Sequence, residues 1–396
     1  MHGRAEAVQA RARHQATNGR VRVGLIGCGK MGIHHLKAIA ATGKGIVVGV
    51  ADPAATEESV QELRSLMAPD AKVVATAAEL LEQIRPDVVH IVTPPGTHAA
   101  LAEQALRAGS HVYVEKPFTP TKAEAERIFA LAAERGLKVC AGHQVQFEPP
   151  ALAALDALSD IGRVVHIESY FSFKMVRRTI TAVEQVKDIL PHAVYPVVDQ
   201  LRAATGLLDE SPTLTGLSVD PSGDVYALVR LGRATAVVLV TLNGRPVEHY
   251  QQIVGTNGSM RADYIAGSLT KLVGPGTGPG VLLTPFRRSY RTMTGATRGI
   301  AKLIFRRGAS YPGLITLIGR FYGSILENTA PPLTPRSILD TVGICEEVGA
   351  ALDEAERAYE SRARAALQDA ETLLPAVRAG EPVALVTGGT GLLGRA

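Results

Sequence analysis

The chain has no tryptophan, 5% aromatic residues and three cysteines in 396 residues. Cys28, Cys140 and Cys345 are scattered, with no C-x-x-C pair and no Cys/His spacing of the zinc-binding kind. A disulfide framework and a metal site are therefore not expected, and the thiols read as reduced in the cytoplasm. No run of about 18 uncharged apolar residues occurs, so a membrane-spanning helix is excluded by length. Residues 1–20 carry Arg and His but lack the apolar core of a secretory signal, and they read as a disordered tail. Acidic residues are absent from Tyr264 to Leu326, where nine Lys and Arg are found, leaving 33 basic against 38 acidic residues elsewhere.

What is present is 46% hydrophobic residues, ample for two cores. From Val21 to Cys140, short Val/Ile-rich runs alternate with Ala/Leu/Glu-rich stretches of helical period, the pattern of a parallel sheet covered by helices. Strands are expected at Val21–Ile26, Ile46–Ala51, Lys72–Ala75, Val88–Val92, His111–Val114 and Lys138–Ala141. Helices are expected at Gly32–Ala41, Thr56–Leu66, Ala77–Gln83, His98–Ala108 and Lys122–Arg135. After Pro149-Pro150 the runs lengthen and alternate, at Val164–Phe173, Asp224–Leu231, Thr235–Leu242 and Val247–Thr256, with Asn243-Gly244 and Asn257-Gly258 as turns. Helices are expected there at Pro191–Thr205 and Pro335–Leu367. The fold class is α/β: an N-terminal Rossmann doubly wound parallel sheet over 21–145, then an α+β domain over 146–370 with a large open, mainly antiparallel sheet, then a linker and glycine-rich terminus over 371–396.

Gly27-Cys28-Gly29-Lys30-Met31-Gly32 follows a strand directly and opens a helix, the context that gives G-x-G-x-x-G its meaning. The first glycine permits a tight turn, the second lets backbone approach a pyrophosphate, and the third allows close helix-to-strand packing. The helix start, with Lys30 and Met31, supplies free N–H groups and a partial positive charge. Asp52 closes the second strand twenty residues beyond Gly32, where a carboxylate accepts hydrogen bonds from both ribose hydroxyls. That selects NAD over NADP.

Thr93-Pro94-Pro95-Gly96-Thr97-His98, the run Ala108 to Pro117 ending in Glu115-Lys116-Pro117, Gly142-His143-Gln144 and Val254 to Ser259 together resemble the Gfo/Idh/MocA family, that of glucose-fructose oxidoreductase and inositol 2-dehydrogenase. The resemblance runs from Val21 to about Ala350 and is strongest before Pro149. It implies an NAD-dependent oxidoreductase acting on a hydroxyl of a sugar, nucleotide-sugar or cyclic polyol. It also implies a homodimer or homotetramer built through the open sheet. Thr93, Pro94, Pro95, His98, Glu115, Lys116 and Gln144 are then expected to line the cofactor, with His98 equally suited to local hydrogen bonding. Asp188-Ile189-Leu190-Pro191-His192 matches the family's D-x-x-x-H, so Lys116, Asp188 and His192 are implied as the catalytic group. His192 would titrate near neutrality and pass the proton. The plainer alternative is an Asp188 that caps a helix starting at Pro191. Tyr195 stands where an Asp often follows the His, and Gln146 stands where an Arg often precedes the Phe. Both departures suggest a ligand other than a simple free sugar, or a site that has drifted from catalysis.

His34 and His35 read as packing residues on the first helix. The acid-free segment, with Phe286 to Arg307 as a possible basic amphipathic helix, admits an anionic substrate handle, an anionic membrane surface, or a solvated loop or oligomer contact. Nucleic acid is not expected, because the aromatics there match no binding module. Val383 to Gly394 looks like the opening of an extended short-chain dehydrogenase/epimerase, as if a second Rossmann domain began there. A non-catalytic NAD-binding sensor or scaffold is the competing function.

Overall fold

The computed structural model describes residues 19–54, 61–175, 180–274 and 311–373, with isolated positions between 282 and 297. Nearly all of the expected tail, most of the basic stretch 286–307 and the glycine-rich terminus lie outside the described residues.

Six strands form the first sheet: β1 (Val21–Ile26), β2 (Gly45–Ala51), β3 (Met67–Val74), β4 (Val88–Ile91), β5 (His111–Val114) and β6 (Val139–Ala141). They run parallel in the order β3-β2-β1-β4-β5-β6. The order reverses between β1 and β4, and it is outside the carboxyl ends of strands at such a reversal that a doubly wound sheet opens a crevice. Strands β4 and β5 read as continuous apolar runs because both faces are covered: Val88, Val89, Ile91, Val112, Tyr113 and Val114 are all fully buried. The covering helices include α1 (Lys30–Thr42), α2 (His98–Arg107) and α3 (Lys122–Arg135). Helix α3 starts at a reciprocal Thr121/Glu124 capping box and stops at Gly136, whose φ of 64° suits a residue without Cβ.

Two expected elements differ in form. Strand β3 begins at Met67 rather than Lys72, because Pro69 and Asp70 mask the strand pattern at the sheet edge, where a missing donor costs no ladder bond. Of the expected helix Thr56–Leu66, the described part, Gln61–Leu66, is a 3₁₀ turn. The segment expected over 77–83 is one short turn, Ala77–Glu79, continued by a π turn, Leu80–Ile84, that ends on Arg85 at φ 49°.

The second sheet has seven strands: β7 (Val164–Ser172), β8 (Thr213–Asp220), β9 (Asp224–Leu231), β10 (Ala234–Thr241), β11 (His249–Gly255), β12 (Gly258–Asp263) and β13 (Ser268–Val273). Their order is β13-β12-β11-β7-β10-β9-β8, antiparallel except for β7 against β10. Strands β8, β12 and β13 escape periodicity because they are polar or lie toward the edges. One sheet face carries Val225, Ala227, Val229, Ala236, Val238 and Ile253 into a core with α6 (Pro191–Thr205). The opposite face leaves Tyr226 and Leu228 exposed.

Three further helices are α4 (Pro149–Asp156), α5 (Ala182–Ile189), which packs into the second core, and α7 (Pro312–Leu326), and a long α8 (Pro335–Leu373) runs past both lobes. The 145/146 boundary separates the two sheets, yet α7 returns to the first core with Leu314, Leu317, Ile318, Phe321 and Tyr322. Helix α8 then gives Ile338 and Val342 to the first core and Ile344, Val348 and Leu352 to the second. A buried Arg202–Asp340 ion pair ties α6 to α8.

Next to that pair, burial raises the Asp199 carboxyl to about 6, against the pull of the Ser337 hydroxyl and of Arg202. A raised carboxyl favours the protonated form in the folded state, so its stabilisation is complete below the unfolded value near 4 and is lost as pH rises through about 6. Asp199→Asn is expected to flatten that part of the stability-versus-pH curve, raising stability at neutral pH by about 2–3 kcal/mol relative to the parent, as measured by urea unfolding at several pH values.

Candidate active site between the two lobes

The loop after β1 has the form that a dinucleotide needs. Gly27 has φ 94°, and a Cβ there would meet the Val92 carbonyl oxygen at 2.5 Å; at Gly32 it would meet the Gly27 oxygen at 2.4 Å. Gly29, by contrast, faces open space: a Cβ there would meet nothing within 4 Å. The two outer glycines are thus dictated by packing, and the middle one leaves room for a phosphate to approach backbone. Helix α1 begins with no side-chain cap and no acid in its first turn, so its first N–H groups are available to an anion. These residues fit a pyrophosphate. The Asp52 carboxylate accepts from Cys28 N at 2.7 Å and Ala54 N at 2.8 Å, which holds it against the glycine loop with lone pairs left for ribose hydroxyls.

Lys30, Pro94 and Gly29 are exposed, and Met31, Asp52, Thr93, Pro95 and Lys116 half-buried, along this carboxyl-end rim. Glu115, His98 and Gln144 are buried behind it. His98 places Nδ1 2.8 Å from the Pro117 carbonyl oxygen and Nε2 2.8 Å from that of Thr93, so it braces the Thr93 loop against the Lys116-Pro117 turn. Of its two expected roles, the structure displays the local one.

A buried chain unforeseen from sequence lies beneath Lys116. Tyr322 Oη is 2.8 Å from His90 Nε2, His90 Nδ1 is 2.9 Å from His35 Nδ1, and His35 Nε2 is 3.0 Å from Glu115 Oε1. His35 is therefore more than a packing residue, whereas His34 packs edge-on against Tyr311. One assignment satisfies every atom: the Tyr322 hydroxyl donates to His90, His90 N–H donates to His35, and His35 N–H donates to the carboxylate. It agrees with a Glu115 carboxyl that, despite burial, is held below its ordinary range by His35 and Lys116, and with a His90 whose burial favours the neutral ring. Glu115 Oε2 in turn accepts from Lys116 N at 3.2 Å.

From the second lobe come Asp188 and His192. The capping alternative for Asp188 does not hold: Asp188 lies inside α5, and the residue before Pro191 at the start of α6, Leu190, keeps helical dihedrals. Lys116 Nζ reaches across the lobes to the Asp188 carbonyl oxygen at 3.3 Å, one of the last carbonyls of α5, which lack a donor from the next turn. The contact is to backbone rather than to the carboxylate.

His192 differs from expectation in its titration. Burial, then the Lys116 ammonium, His249 and His143 hold it well below the usual imidazole range, so it stays neutral near pH 7. Its Nδ1 lies 3.0 Å from Tyr195 Oη, which also accepts from Val145 N at 3.1 Å. His143 stacks on Tyr195 at 4.4 Å, and burial pulls its pKa to about 3. Pro196 within α6 lacks the N–H that would bond the His192 carbonyl, and burial pulls the nearby His249 imidazole down to about 3 against the upward pull of the His192 backbone. His143 Nδ1, Gln144 Oε1, Gln146 Nε2 and His249 Nε2 are buried without a protein partner, a set of polar atoms suited to a ligand. His249 was illegible as a site residue because it arrives on β11, remote in sequence from every motif.

A six-stranded sheet in this order, with a glycine loop at its first turn and a second, mainly antiparallel sheet beyond it, defines a two-domain fold whose first domain has the form of a dinucleotide-binding Rossmann domain. Residues 21–143 match the family model of the Gfo/Idh/MocA oxidoreductases, described as an oxidoreductase family with an NAD-binding Rossmann fold. The likeness to that family is carried by this domain, residues 21–143. It is similar to the UDP-N-acetylglucosamine 3-dehydrogenase of Acidithiobacillus ferrooxidans, 39% identical over 131 residues, which are 33% of this chain and 39% of that protein. It is also similar to the inositol 2-dehydrogenase of Rhizobium meliloti, 34% identical over 157 residues, 37% of this chain and 43% of that one. The chain thus spans less than half the length of these curated relatives. In fold the similarity is longer: the WlbA dehydrogenase from Bordetella pertussis, solved with NADH and UDP-GlcNAcA, superposes with a TM-score of 0.63 at 19% identity, over 85% of this chain and 96% of that one. Among the described residues no group of His, Cys, Asp and Glu is placed to hold a metal, and no helix is long and apolar enough to cross a membrane.

Two outcomes follow. Asp52→Ala is expected to weaken NAD binding by about tenfold or more and to narrow the preference over NADP, as read by calorimetry, because a charge-assisted pair of hydrogen bonds is removed. Tyr322→Phe is expected to cost about 1–3 kcal/mol in urea unfolding, since it leaves His90 Nε2 buried without its donor.

Proposed function

We propose that the protein is an NAD-dependent oxidoreductase that moves a hydride between the nicotinamide and a CH–OH carbon of a sugar, nucleotide-sugar or cyclic polyol. The observation that carries this reading is the convergence of Lys116 from the first lobe with the α5–α6 junction bearing Asp188 and His192 from the second. When bound, NAD supplies the hydride acceptor, held by Gly27, Gly29, Lys30, Met31, Gly32 and Asp52 at the ends of β1 and β2, with Thr93, Pro94, Pro95 and Gln144 toward the interlobe side.

Removal of a hydride from a carbinol requires its hydroxyl proton to leave as well. Lys116 sits at the carboxyl end of β5, fixed by Glu115 at its backbone and by the Asp188 carbonyl at its tip. Its ammonium stabilises an oxygen that gains negative charge, and its neutral amine takes the proton. A nucleotide-sugar is the favoured substrate class, supported by the similarity to the UDP-N-acetylglucosamine 3-dehydrogenase and to WlbA, and by Tyr195 and Gln146 standing where the family pattern has an acidic group and a guanidinium. The open face of the second sheet, with Tyr226 and Leu228 exposed, is the surface on which we place a second copy of the chain. Three unpaired cysteines fit the reducing cytoplasm as its compartment.

Nicotinamide absorbance during a screen of nucleotide-sugars, free sugars and inositols is expected to report turnover with at least one nucleotide-sugar. Lys116→Ala is expected to lower kcat on that substrate by about 100-fold or more while NAD affinity stays within about threefold of the parent. Binding of NAD with no turnover across the panel would favour a non-catalytic sensor.

A further inference from the structure

We propose that Tyr195 locks His192 as the Nε2–H tautomer, so that the imidazole is a hydrogen-bond donor to the reacting oxygen and Lys116 alone carries the proton. This rests on the reading that Lys116 and His192 flank the reacting carbon.

The argument is a count of hydrogens. Tyr195 is fully buried, and its hydroxyl oxygen accepts from the Val145 N–H at 3.1 Å. Its single proton needs an acceptor, and the atom in reach is His192 Nδ1 at 3.0 Å. A ring that accepts at Nδ1 and is neutral carries its proton on Nε2. The reverse tautomer would aim Nδ1–H at an oxygen that already accepts from backbone and would strand the tyrosine proton in a dry site. The tyrosine ring is stacked on His143 at 4.4 Å, and its backbone lies within α6.

Neither member can relay a proton instead. Burial, the Lys116 ammonium, His249 and His143 oppose a cationic His192, and burial with the nearby carboxylates Glu115 and Glu148 and the phenol of Tyr264 opposes ionisation of Tyr195. Lys116 faces the same space with a rotatable amine. In the oxidative direction the carbinol C–H electron pair leaves as hydride to NAD, the O–H proton passes to the neutral Lys116 amine, and the new carbonyl oxygen keeps the hydrogen bond from Nε2–H. Reduction returns both along the same path. An Asp after the His would accept from Nδ1–H and leave Nε2 bare as a base; a tyrosine there inverts the donor and acceptor.

The test is a two-bond ¹⁵N–¹H correlation spectrum of the full chain, labelled at histidine nitrogens, with the His192 signals assigned by their loss in His192→Gln. The expected result is one neutral tautomer at pH 7, protonated at Nε2 and bare at Nδ1, and a mixture of tautomers in Tyr195→Phe. A wild-type ring protonated at Nδ1, or at both nitrogens, at pH 7 overturns the proposal, whether or not the phenylalanine variant folds. With an active substrate, Tyr195→Phe is expected to lower kcat about tenfold with little change in NAD affinity. Failure to find any substrate would instead count against the oxidoreductase reading and leave the tautomer assignment standing.

Discussion

A carboxylate buried at the end of a central strand has to be compensated, and much of the site follows from how Glu115 is compensated. Taking its charge out of water is costly unless hydrogen bonds replace the lost hydration. His35 supplies one of them, and His35 is oriented by His90, which is oriented by Tyr322 from a helix that has crossed from the other lobe. The far oxygen of Glu115 holds the Lys116 backbone. Lys116 is therefore anchored through residues of α1, β4 and α7 and through Glu115 just past the end of β5, so its position depends on how those elements pack.

The second lobe meets this anchor through two small contacts. Lys116 Nζ bonds the Asp188 carbonyl, and the Tyr195 hydroxyl bonds Val145 N. Both use backbone groups freed by local irregularities: the end of α5 at Pro191, and the turn at Val145 that follows β6. Gly313 N on Glu148 Oε1 at 3.0 Å holds that same turn from the other side. The loop is gripped from both sides, and the unpartnered polar atoms of His143, Gln144 and Gln146 lie along it. Preorganisation of this kind lowers the cost of ordering a substrate.

Parts of the architecture were legible because their signals are local. Val/Ile runs separated by amphipathic helices, with a glycine loop after the first strand, left little freedom for the first sheet, and all six of its strands appear. Helix α5 carried a signal that periodicity alone does not weigh: Thr181 and Glu184 form a capping box. The Pro149-Pro150 pair, read as a boundary, occupies the first turn of α4, where a missing N–H costs nothing. Strand β8 and the start of β3 were hidden because edge strands tolerate polar residues, Gly and Pro that central strands exclude.

The titration of His192, the acceptor of the Lys116 hydrogen bond and the Tyr322–His90–His35–Glu115 chain were not legible. Each depends on groups that sequence separates by tens to hundreds of positions, and on how deeply the tertiary fold buries them. The sequence by itself determined the Rossmann domain, the presence of a dinucleotide loop with an acidic partner and the identity of the lysine at the rim, because each is written in contiguous residues whose steric needs are local. Only the tertiary structure decided which atoms face Lys116, that Asp188 offers its carbonyl, and that the imidazole beside it is neutral, since dielectric and hydrogen-bond direction are properties of an assembled interior.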